Sequence, residues 1–359
     1  METKLKHCGE IDLFRFVFAF IIVLRHTDAL FGERLFFEGG AFGVEFFFLV
    51  SGYLMMASID KMNNRPIVSL GDETLAYLKR KIASFYPELL LAFGMAFAVQ
   101  SAAKKLDLIG MIKLACNSFF EIFLLSHSGI GGAHIIGPVW YLSTMILVMA
   151  ILYPLIRKYQ DTMTKIILPL LAIFILAFIV KNYNHFRTPG KWIFWGYKGF
   201  FRGAGELCLG TVLYWAAQWL KTFRFKPLMK VLLSLIKWVC WLVVIIYMTK
   251  ETLKYDAFCL ALMAIAITIA FSQKAIESDL YQNKVFLLLG RFSLPLYLCH
   301  SCYANYLNHW LPEAMGVGEK LAVFLFASFF SASAIMLLAS LYRRHQASVV
   351  HWLRKLFVY

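Results

Sequence analysis

The sequence predicts an all-α integral membrane protein, and three observations lead to this prediction. Hydrophobic residues make up 60% of the 359 residues, and the mean hydropathy is +0.67. Charged residues make up only 16%, whereas a soluble domain has about 25%. Apolar runs of about 20 residues, each long enough to cross a bilayer core, recur from residue 11 to residue 342. The chain therefore lacks the polar surface that a water-soluble fold needs.

The apolar runs predict about ten transmembrane helices in a single domain over residues 1–359. The longest polar stretches are roughly 20 to 25 residues long, too short to form a core of their own, so no soluble extracytoplasmic domain is expected. The predicted spans are 11–31, 41–59, 85–103, 138–156, 165–181, 200–219, 231–249, 256–272, 285–306 and 319–342.

The distribution of positive charge predicts the orientation of these spans. With the N-terminus inside, the inner connections hold about twice as many lysine and arginine residues as the outer ones, as the positive-inside rule requires. Both termini are therefore expected in the cytoplasm, and the chain is expected to be a multi-pass protein of the plasma (inner) membrane. The net charge of +15 is then explained by topology and predicts no nucleic-acid partner.

One apolar segment fits this topology poorly. Residues 107–126 are interrupted by Lys113, Asn117 and Glu121, which favours an interfacial or re-entrant helix over a span. If the segment spans the membrane instead, every later helix changes direction and the charge distribution contradicts the topology.

The cysteines predict neither disulfides nor a metal site. Cys299 and Cys302 form a C-x-x-C motif, but they lie on a predicted buried helix. Small apolar packing is the better interpretation there than redox chemistry.

The first predicted helix carries two ionisable residues on one face. An ionisable side chain inside a span costs roughly 2.5–3.5 kcal/mol on insertion scales, so each one is a functional candidate. Arg15 and His26 are eleven residues apart, which places them within about 20° of the same face and about 16 Å apart along the helix axis. The alternative is structural, with an arginine that reaches the headgroups and a histidine bonded in a helix contact.

Glu45 enters the membrane at the start of the second span, at a depth similar to that of His26. A carboxylate beside an imidazole fixes its tautomer and supports its charged form, which suits a general base. We therefore expect Glu45 to lie next to His26 and to orient it, with a purely structural pair as the alternative.

A basic cluster precedes the third span. Lys79, Arg80 and Lys81 lead into Tyr86 at the expected inner surface. The cluster suits the phosphates of a nucleotide-bearing donor, and a simple membrane anchor is the alternative.

Two later spans also carry charges. Arg202 and Glu206 lie one turn apart and could neutralise each other. Arg291 and His300 flank Pro295, which interrupts the hydrogen bonding of a membrane helix. All four residues are candidates for a polar lining of a substrate site.

Taken in chain order, these stretches resemble acyltransferase family 3, which includes bacterial O-acetyltransferases of lipopolysaccharide, capsule and peptidoglycan. Five motifs carry the resemblance: Asp12 with Arg15 and His26, Gly43 to Leu54 around Glu45, Lys79 to Pro87, Trp140 to Pro154, and Leu289 to His300. They occur in the family's order over nearly the whole chain.

The resemblance implies a membrane acyltransferase that uses cytoplasmic acyl-CoA, most simply acetyl-CoA as a co-substrate, and holds no permanent cofactor. The acceptor is then a hydroxyl of a cell-surface carbohydrate such as capsule, lipopolysaccharide, teichoic acid or a glycoside. His26, Glu45 and Arg15 are the expected catalytic residues, with His26 acting as base on the acceptor or as a carrier of the acetyl group. The expected donor- and substrate-binding residues are Lys79, Arg80, Lys81, Tyr86, Trp140, Arg202, Glu206, Arg291, Tyr297 and His300.

The chain departs from the common family pattern in two places. The segment from Trp140 to Met145 lacks the acidic residue that often follows the tryptophan, which leaves the role of the segment open. The sequence also ends at Tyr359, so the hydrolase-like domain that some members carry is not expected.

Other functions remain compatible with ten helices and buried charges. A transporter or flippase of a polysaccharide precursor is one, although the two halves show no internal repeat. A membrane-bound O-acyltransferase of the unrelated type and a structural factor of a polysaccharide assembly machine are others. The sequence does not decide between a monomer and a homo-oligomer, and membrane lipid is the expected surrounding partner.

Overall fold

The protein is an almost entirely helical bundle. A computed structural model describes residues 8–126, 128, 134–250 and 254–357, with side chains up to residue 346. The first eight helices are α1 (Gly9–Arg25), α2 (Asp28–Phe31), α3 (Gly43–Asp60), α4 (Leu70–Ala83), α5 (Tyr86–Ala103), α6 (Leu108–Asn117), α7 (Phe119–Ile122) and α8 (Trp140–Lys158). The remaining helices are α9 (Gln160–Thr162), α10 (Leu168–Tyr183), α11 (Lys198–Thr222), α12 (Pro227–Met248), α13 (Asp256–Ser272), α14 (Lys284–Tyr306) and α15 (Val317–Phe357).

Short elements connect these helices. The strands β1 (Trp192–Ile193) and β2 (Gly196–Tyr197) form an antiparallel hairpin in which Trp192 pairs with Tyr197. The other short elements are 3₁₀ turns at Gly40–Phe42, Gly137–Val139 and Leu307–His309 and a π-helical turn at Met163–Ile167.

Each of the ten predicted spans overlaps a helix, but the predicted span 11–31 is divided between α1 and α2. In the described part of the chain, six helical segments are long and apolar enough to cross a membrane on their own, and the bent pair of α4 and α5 raises the number to seven. The helices α1 and α13 have only 17 residues each, and α11 carries Arg202 and Glu206 in its interior. The prediction of an all-α membrane protein is confirmed. By length and composition alone, six or seven helical segments of the described part of the chain qualify as spans.

The doubtful segment 107–126 forms two short helices instead of one span. Its longer helix, α6, has ten residues and is therefore about 15 Å long, half the thickness of a bilayer core of about 30 Å. None of its residues is buried, and Leu108, Ile109 and Ile112 are exposed. These features agree with the interfacial or re-entrant helix that the sequence favoured over a span.

The helices form an inner group and a peripheral group. The buried fraction of the most apolar 18-residue stretch distinguishes the two groups. It is 83% for α3 with its preceding 3₁₀ turn and 67% for α8, but 28% for α12 and for α15. The exposed faces of the outer helices are apolar, so they are the surfaces that face lipid. In the interior, α14 packs against α1, α5 and α15, and α11 packs against α3, α8, α10 and α13.

The crossing of α3 and α11 depends on two glycines. A Cβ atom at Gly52 would lie 2.3 Å from the carbonyl oxygen of Leu207, and one at Gly210 would lie 2.3 Å from that of Leu49. Such small residues let membrane helices approach each other closely. This approach places Glu45 of α3 beside Arg202 of α11, as described below.

We expect Gly52→Ala to lower the free energy of unfolding by about 1–3 kcal/mol, because the added methyl group meets backbone that cannot move aside alone. Thermal unfolding of the purified protein in detergent measures the effect. Gly94→Ala is the matched control, because Gly94 lies inside α5 with nothing within 4 Å of an added Cβ. An equal melting temperature for the two variants would contradict the close contact.

The two cysteines of the C-x-x-C motif are free thiols buried in α14. The thiol of Cys299 donates to the carbonyl oxygen of Ser328 at 3.3 Å, and that of Cys302 donates to the carbonyl oxygen of Cys299. The structure thus agrees with a packing role for both residues.

Candidate active site

A large cavity opens at the end of the bundle where α1 begins. Its volume is about 960 Å³, at the upper end of the range for small-molecule sites. It lies between α1, α3, α4, α5, α8, α14 and α15, and both Asp12 of α1 and Arg343 of α15 line it. The start of α1 and the part of α15 around Arg343 therefore lie at the same end of the bundle.

The cavity is lined by five basic residues: Arg15, Lys81, Arg291, Arg343 and Arg344. Arg343 is held in place, since its guanidinium donates to both carboxylate oxygens of Glu88 at 2.7 and 2.5 Å. Arg15 donates to Asp12 at 3.2 Å and keeps a side chain that is 32% exposed. Within the described part of the chain, Lys81 and Arg291 form no ion pair. A cavity with unpaired cations at its mouth is suited to an anionic ligand.

Two tyrosines close the other end of the cavity. The hydroxyl of Tyr297 donates to the carbonyl oxygen of Pro138 at 3.1 Å. The hydroxyl of Tyr141 lies 2.9 Å from Oγ of Ser51, and the two tyrosine rings meet edge to face. Tyr297 is six residues beyond Arg291 on α14, or about 9 Å deeper along the helix. The cavity thus leads from charged residues at the surface to a buried aromatic end.

A pair of histidines lies next to this aromatic end. The ring of His300 is 6.1 Å from that of Tyr297 and 5.0 Å from that of His26, measured between ring centres. Nε2 of His300 is 3.3 Å from Nδ1 of His26. His300 is fully buried, and His26 is partly exposed. The sequence predicted both residues as site residues but did not predict their contact.

The two histidines meet because α1 and α14 run side by side in the same direction. At the cavity end, a Cβ atom on Gly290 would lie 2.5 Å from the side chain of Asp12. At the other end, His26 caps the last turn of α1, where its backbone N–H donates to the carbonyl oxygen of Ile22. Contacts at both ends fix the register of the two helices.

The hydrogen bonds assign the protons on both imidazoles. Nδ1 of His26 lies 2.8 Å from the carbonyl oxygen of Ile22, and Nδ1 of His300 lies 3.3 Å from that of Leu296. A carbonyl oxygen only accepts, so each Nδ1 carries the proton in the neutral ring. Nε2 of His26 is then the unprotonated nitrogen that can act as a base.

Glu45 is not the partner of His26, and this part of the prediction is wrong. Its carboxylate forms an ion pair with Arg202, and Nε of Arg202 donates a hydrogen bond to Glu206 at 3.2 Å. The face of Trp140 lies 5.6 Å from the same guanidinium. All three charged residues are 0–1% exposed. The reason is the close crossing of α3 with α11, which turns Glu45 towards α11 and away from α1.

The buried ion cluster continues to the far side of the bundle from the cavity. Arg202 donates to the carbonyl oxygen of Phe186 at 3.3 Å, and the N–H of Phe186 donates to Asp256 at 2.7 Å. Asp256 begins α13 and also lies 3.9 Å from Arg187. The cluster thus fixes the connection between α10 and α11 against α13.

Most of the predicted basic cluster lies outside the cavity. Lys79 and Arg80 are exposed on α4, and Tyr86 is half-buried at the start of α5. Of the predicted donor-binding residues on these two helices, Lys81 lines the cavity. Successive residues of a helix point about 100° apart, so three consecutive basic residues cannot face one cavity.

Sequence reasoning missed several residues of the cavity. Arg343 and Arg344 carry two of its five cations, Tyr141 and Ser51 form part of its buried end, and Glu88 fixes Arg343. For Arg343 and Arg344 the available signal was their place at the predicted inner end of the last predicted span. The sequence gives no reason to bring them to Arg15, because only the packing of α15 against α5 and α14 does so.

Glu121 anchors the connection that leads to the buried end of the cavity. Its carboxylate accepts hydrogen bonds from the backbone N–H groups of Ile135 and Ile136, at 2.8 and 2.9 Å. Burial raises the pKa of Glu121 to about 7, while these two donors act in the opposite direction. The anchored segment precedes Pro138, whose carbonyl oxygen binds Tyr297.

The fold and the site together define a multi-span membrane protein with a cation-lined cavity that ends beside a histidine pair. The chain matches the family model of acyltransferase family 3, described as an acyltransferase domain, over residues 9–342. The chain therefore belongs to this family and is a membrane acyltransferase. Comparisons with curated proteins and with solved structures gave no match.

Proposed function

We propose that this acyltransferase transfers an acetyl group from cytoplasmic acetyl-CoA to a hydroxyl group of a cell-surface carbohydrate. The observation that carries the proposal is the cavity, which leads from a cationic mouth to Tyr297. The ring of Tyr297 lies 6.1 Å from that of His300, which in turn contacts His26. Acetyl-CoA is a co-substrate in this scheme, and the acceptor is a capsule, lipopolysaccharide, teichoic acid or glycoside hydroxyl.

The charges of the cavity support a nucleotide-bearing donor. Arg15, Lys81 and Arg291 would contact the phosphates of CoA at the mouth. The pantetheine arm would then extend along the cavity, so that the thioester reaches the end formed by Tyr141 and Tyr297. A hydrophobic and aromatic lining suits this uncharged arm.

The chemistry that we propose uses His26 as the general base. Nε2 of His26 takes the proton of the acceptor hydroxyl while the hydroxyl oxygen attacks the thioester carbonyl carbon. The carbon–sulfur bond then breaks, the ester remains on the carbohydrate, and the CoA thiolate takes the proton back from His26. Glu45, Arg202 and Glu206 stabilise the helices around the site and take no part in proton transfer.

We propose that the protein lies in the plasma membrane. In this topology it has ten spans, and both termini are in the cytoplasm. The proposal is supported by the positive charges of the inner connections and by the shared position of Asp12 and Arg343 at the cavity. It places the cavity mouth in the cytoplasm, where acyl-CoA is found. His26 then lies about 16 Å away from Arg15, towards the outer surface.

The function is tested by mass spectrometry of surface glycans from strains with and without the gene. The proposal predicts that deletion removes a mass increment of one acetyl group from one glycan, and that the restored gene brings it back. A flippase would instead change the amount of the glycan at the surface and leave its acetylation intact, and this result would contradict the proposal.

We expect Arg15→Ala and Lys81→Ala to raise the KM for acetyl-CoA by about 10-fold or more each, because each removes a charge-assisted contact with the donor. The assay follows transfer of labelled acetyl from acetyl-CoA to glycan isolated from the deletion strain. Lys79→Ala is the matched control, because Lys79 is an exposed lysine of the same helix outside the cavity.

A second donor shows whether the two residues bind the phosphates of CoA. S-acetyl-pantetheine carries the thioester but no nucleotide phosphates, so the two substitutions should leave its transfer rate unchanged. If either substitution impairs both donors equally, the residue does not bind the phosphates.

A further inference from the structure

We infer that His300 is a positioning residue that holds the imidazole of His26 in the orientation and tautomer that a base requires. The inference rests on the proposed function of His26 and goes beyond it, because it assigns to His300 a role in the reaction without contact with either substrate.

His300 is itself firmly placed. It is fully buried in α14, one turn after Leu296 and directly after Cys299, both of which are also 0% exposed. Its Nδ1 donates to the carbonyl oxygen of Leu296 at 3.3 Å. Its Nε2 is therefore an acceptor, and this atom points at His26.

The Nδ1–H group of His26 has two acceptors. The carbonyl oxygen of Ile22 lies on its own helix at 2.8 Å, and Nε2 of His300 lies on the neighbouring helix at 3.3 Å. If the ring turned over about its Cβ–Cγ bond, a carbon atom would replace Nδ1 and both hydrogen bonds would be lost. The two acceptors therefore keep Nε2 of His26 as the free basic nitrogen.

The same arrangement supports the charged form of His26. When Nε2 of His26 takes the proton of the acceptor hydroxyl, the Nδ1–H group becomes part of an imidazolium and is a stronger donor. Nε2 of His300 accepts this hydrogen bond without taking the proton. His300 thus begins and ends the cycle neutral, and the only proton that moves passes from the hydroxyl through His26 to the CoA thiolate.

Other groups near His26 do not replace this contact. Arg25, on the same helix, is paired with Asp28 at 2.7 Å and donates to the carbonyl oxygen of Glu38. Tyr297, one turn before His300 on α14, donates to Pro138. These groups are occupied by their own partners, so His300 is the neighbouring-helix acceptor for His26.

The test compares two substitutions of similar size. His300→Leu removes the acceptor, and His300→Gln restores an acceptor oxygen near the place of Nε2. We expect His300→Leu to lower kcat by about 100-fold with an unchanged KM for acetyl-CoA, and His300→Gln to recover kcat to within about 10-fold of the wild type. Labelled acetyl-CoA and glycan from the deletion strain are the substrates, and melting temperatures in detergent confirm that both variants fold.

Cys302→Ala is the control for disturbance of α14. It should keep wild-type kcat, because Cys302 follows His300 by two residues and is therefore about 200° away from it around the helix axis. Equal kcat values for His300→Leu and the wild type would overturn the inference, as would equal losses in the Leu and Gln variants or a change confined to KM. If His26→Ala remains active, the proposed role of His26 fails instead. If His26→Ala is inactive and the His300 variants are normal, only the positioning role fails.

Discussion

Replacing His26 with alanine is expected to lower the rate of acetyl transfer by about 10²- to 10⁴-fold, the usual contribution of a general base. The side chain is partly exposed at the end of α1, so its removal leaves little buried space. The KM for acetyl-CoA should change little, because in the proposed scheme the phosphates bind at Arg15, about 16 Å away. The rate is measured with labelled acetyl-CoA and glycan from a strain that lacks the gene.

The matched control for this variant is His309→Ala. His309 is exposed and its ring contacts only its own turn and the adjacent Trp310 within the described part of the chain. This variant should transfer acetyl at the wild-type rate. Transfer by His26→Ala within a few fold of the wild type would show that His26 is not the base.

Replacing Arg202 with methionine is expected to destabilise the protein by about 3–5 kcal/mol, the usual effect of breaking a buried ion pair. Arg202 is the cation shared by Glu45 and Glu206, and the substitution leaves both carboxylates buried without a partner. The face of Trp140 also loses its cation. A large fall in melting temperature in detergent, with little folded protein recovered from membranes, is the expected result.

Two further variants test whether the loss of stability is specific to the buried ion pairs of Arg202 or follows from the loss of any ion pair. Lys165→Ala removes the cation of an exposed pair with Asp161, whose side chains are 72% and 79% exposed, and such pairs contribute at most about 1 kcal/mol. Replacing Glu45 and Glu206 with glutamine in the Arg202→Met background removes the buried charges and should restore much of the lost stability. If Arg202→Met and Lys165→Ala melt at the same temperature, the buried cluster is not a stabilising element.

The positions of the helices could be predicted well from the sequence because apolar length is a local property. Every predicted span overlaps a helix, and the interruption of 107–126 by polar residues correctly indicated a segment unlike its neighbours. The family could also be recognised, since its motifs carry their spacing within the chain.

Side-chain partners were harder to predict because they depend on the rotation and the neighbours of each helix. Glu45 was expected at a depth similar to that of His26, but the glycine contact between α3 and α11 turns Glu45 to Arg202. The partner of His26 is 274 residues away on α14, and no local pattern links the two. For the same reason Arg343 lines the cavity although the sequence did not predict it, whereas Lys79 and Arg80 were predicted to bind the donor but lie outside the cavity.

The most direct test uses inside-out membrane vesicles, in which the proposed topology turns the cavity mouth towards the medium. Vesicles with the wild-type protein and vesicles with His26→Ala receive acetyl-CoA labelled in its acetyl group, and the label in carbohydrate is then measured. We expect labelled carbohydrate with the wild-type protein and almost none with His26→Ala at equal protein levels. Equal labelling in the two, or no labelled carbohydrate with the wild-type protein, would contradict it.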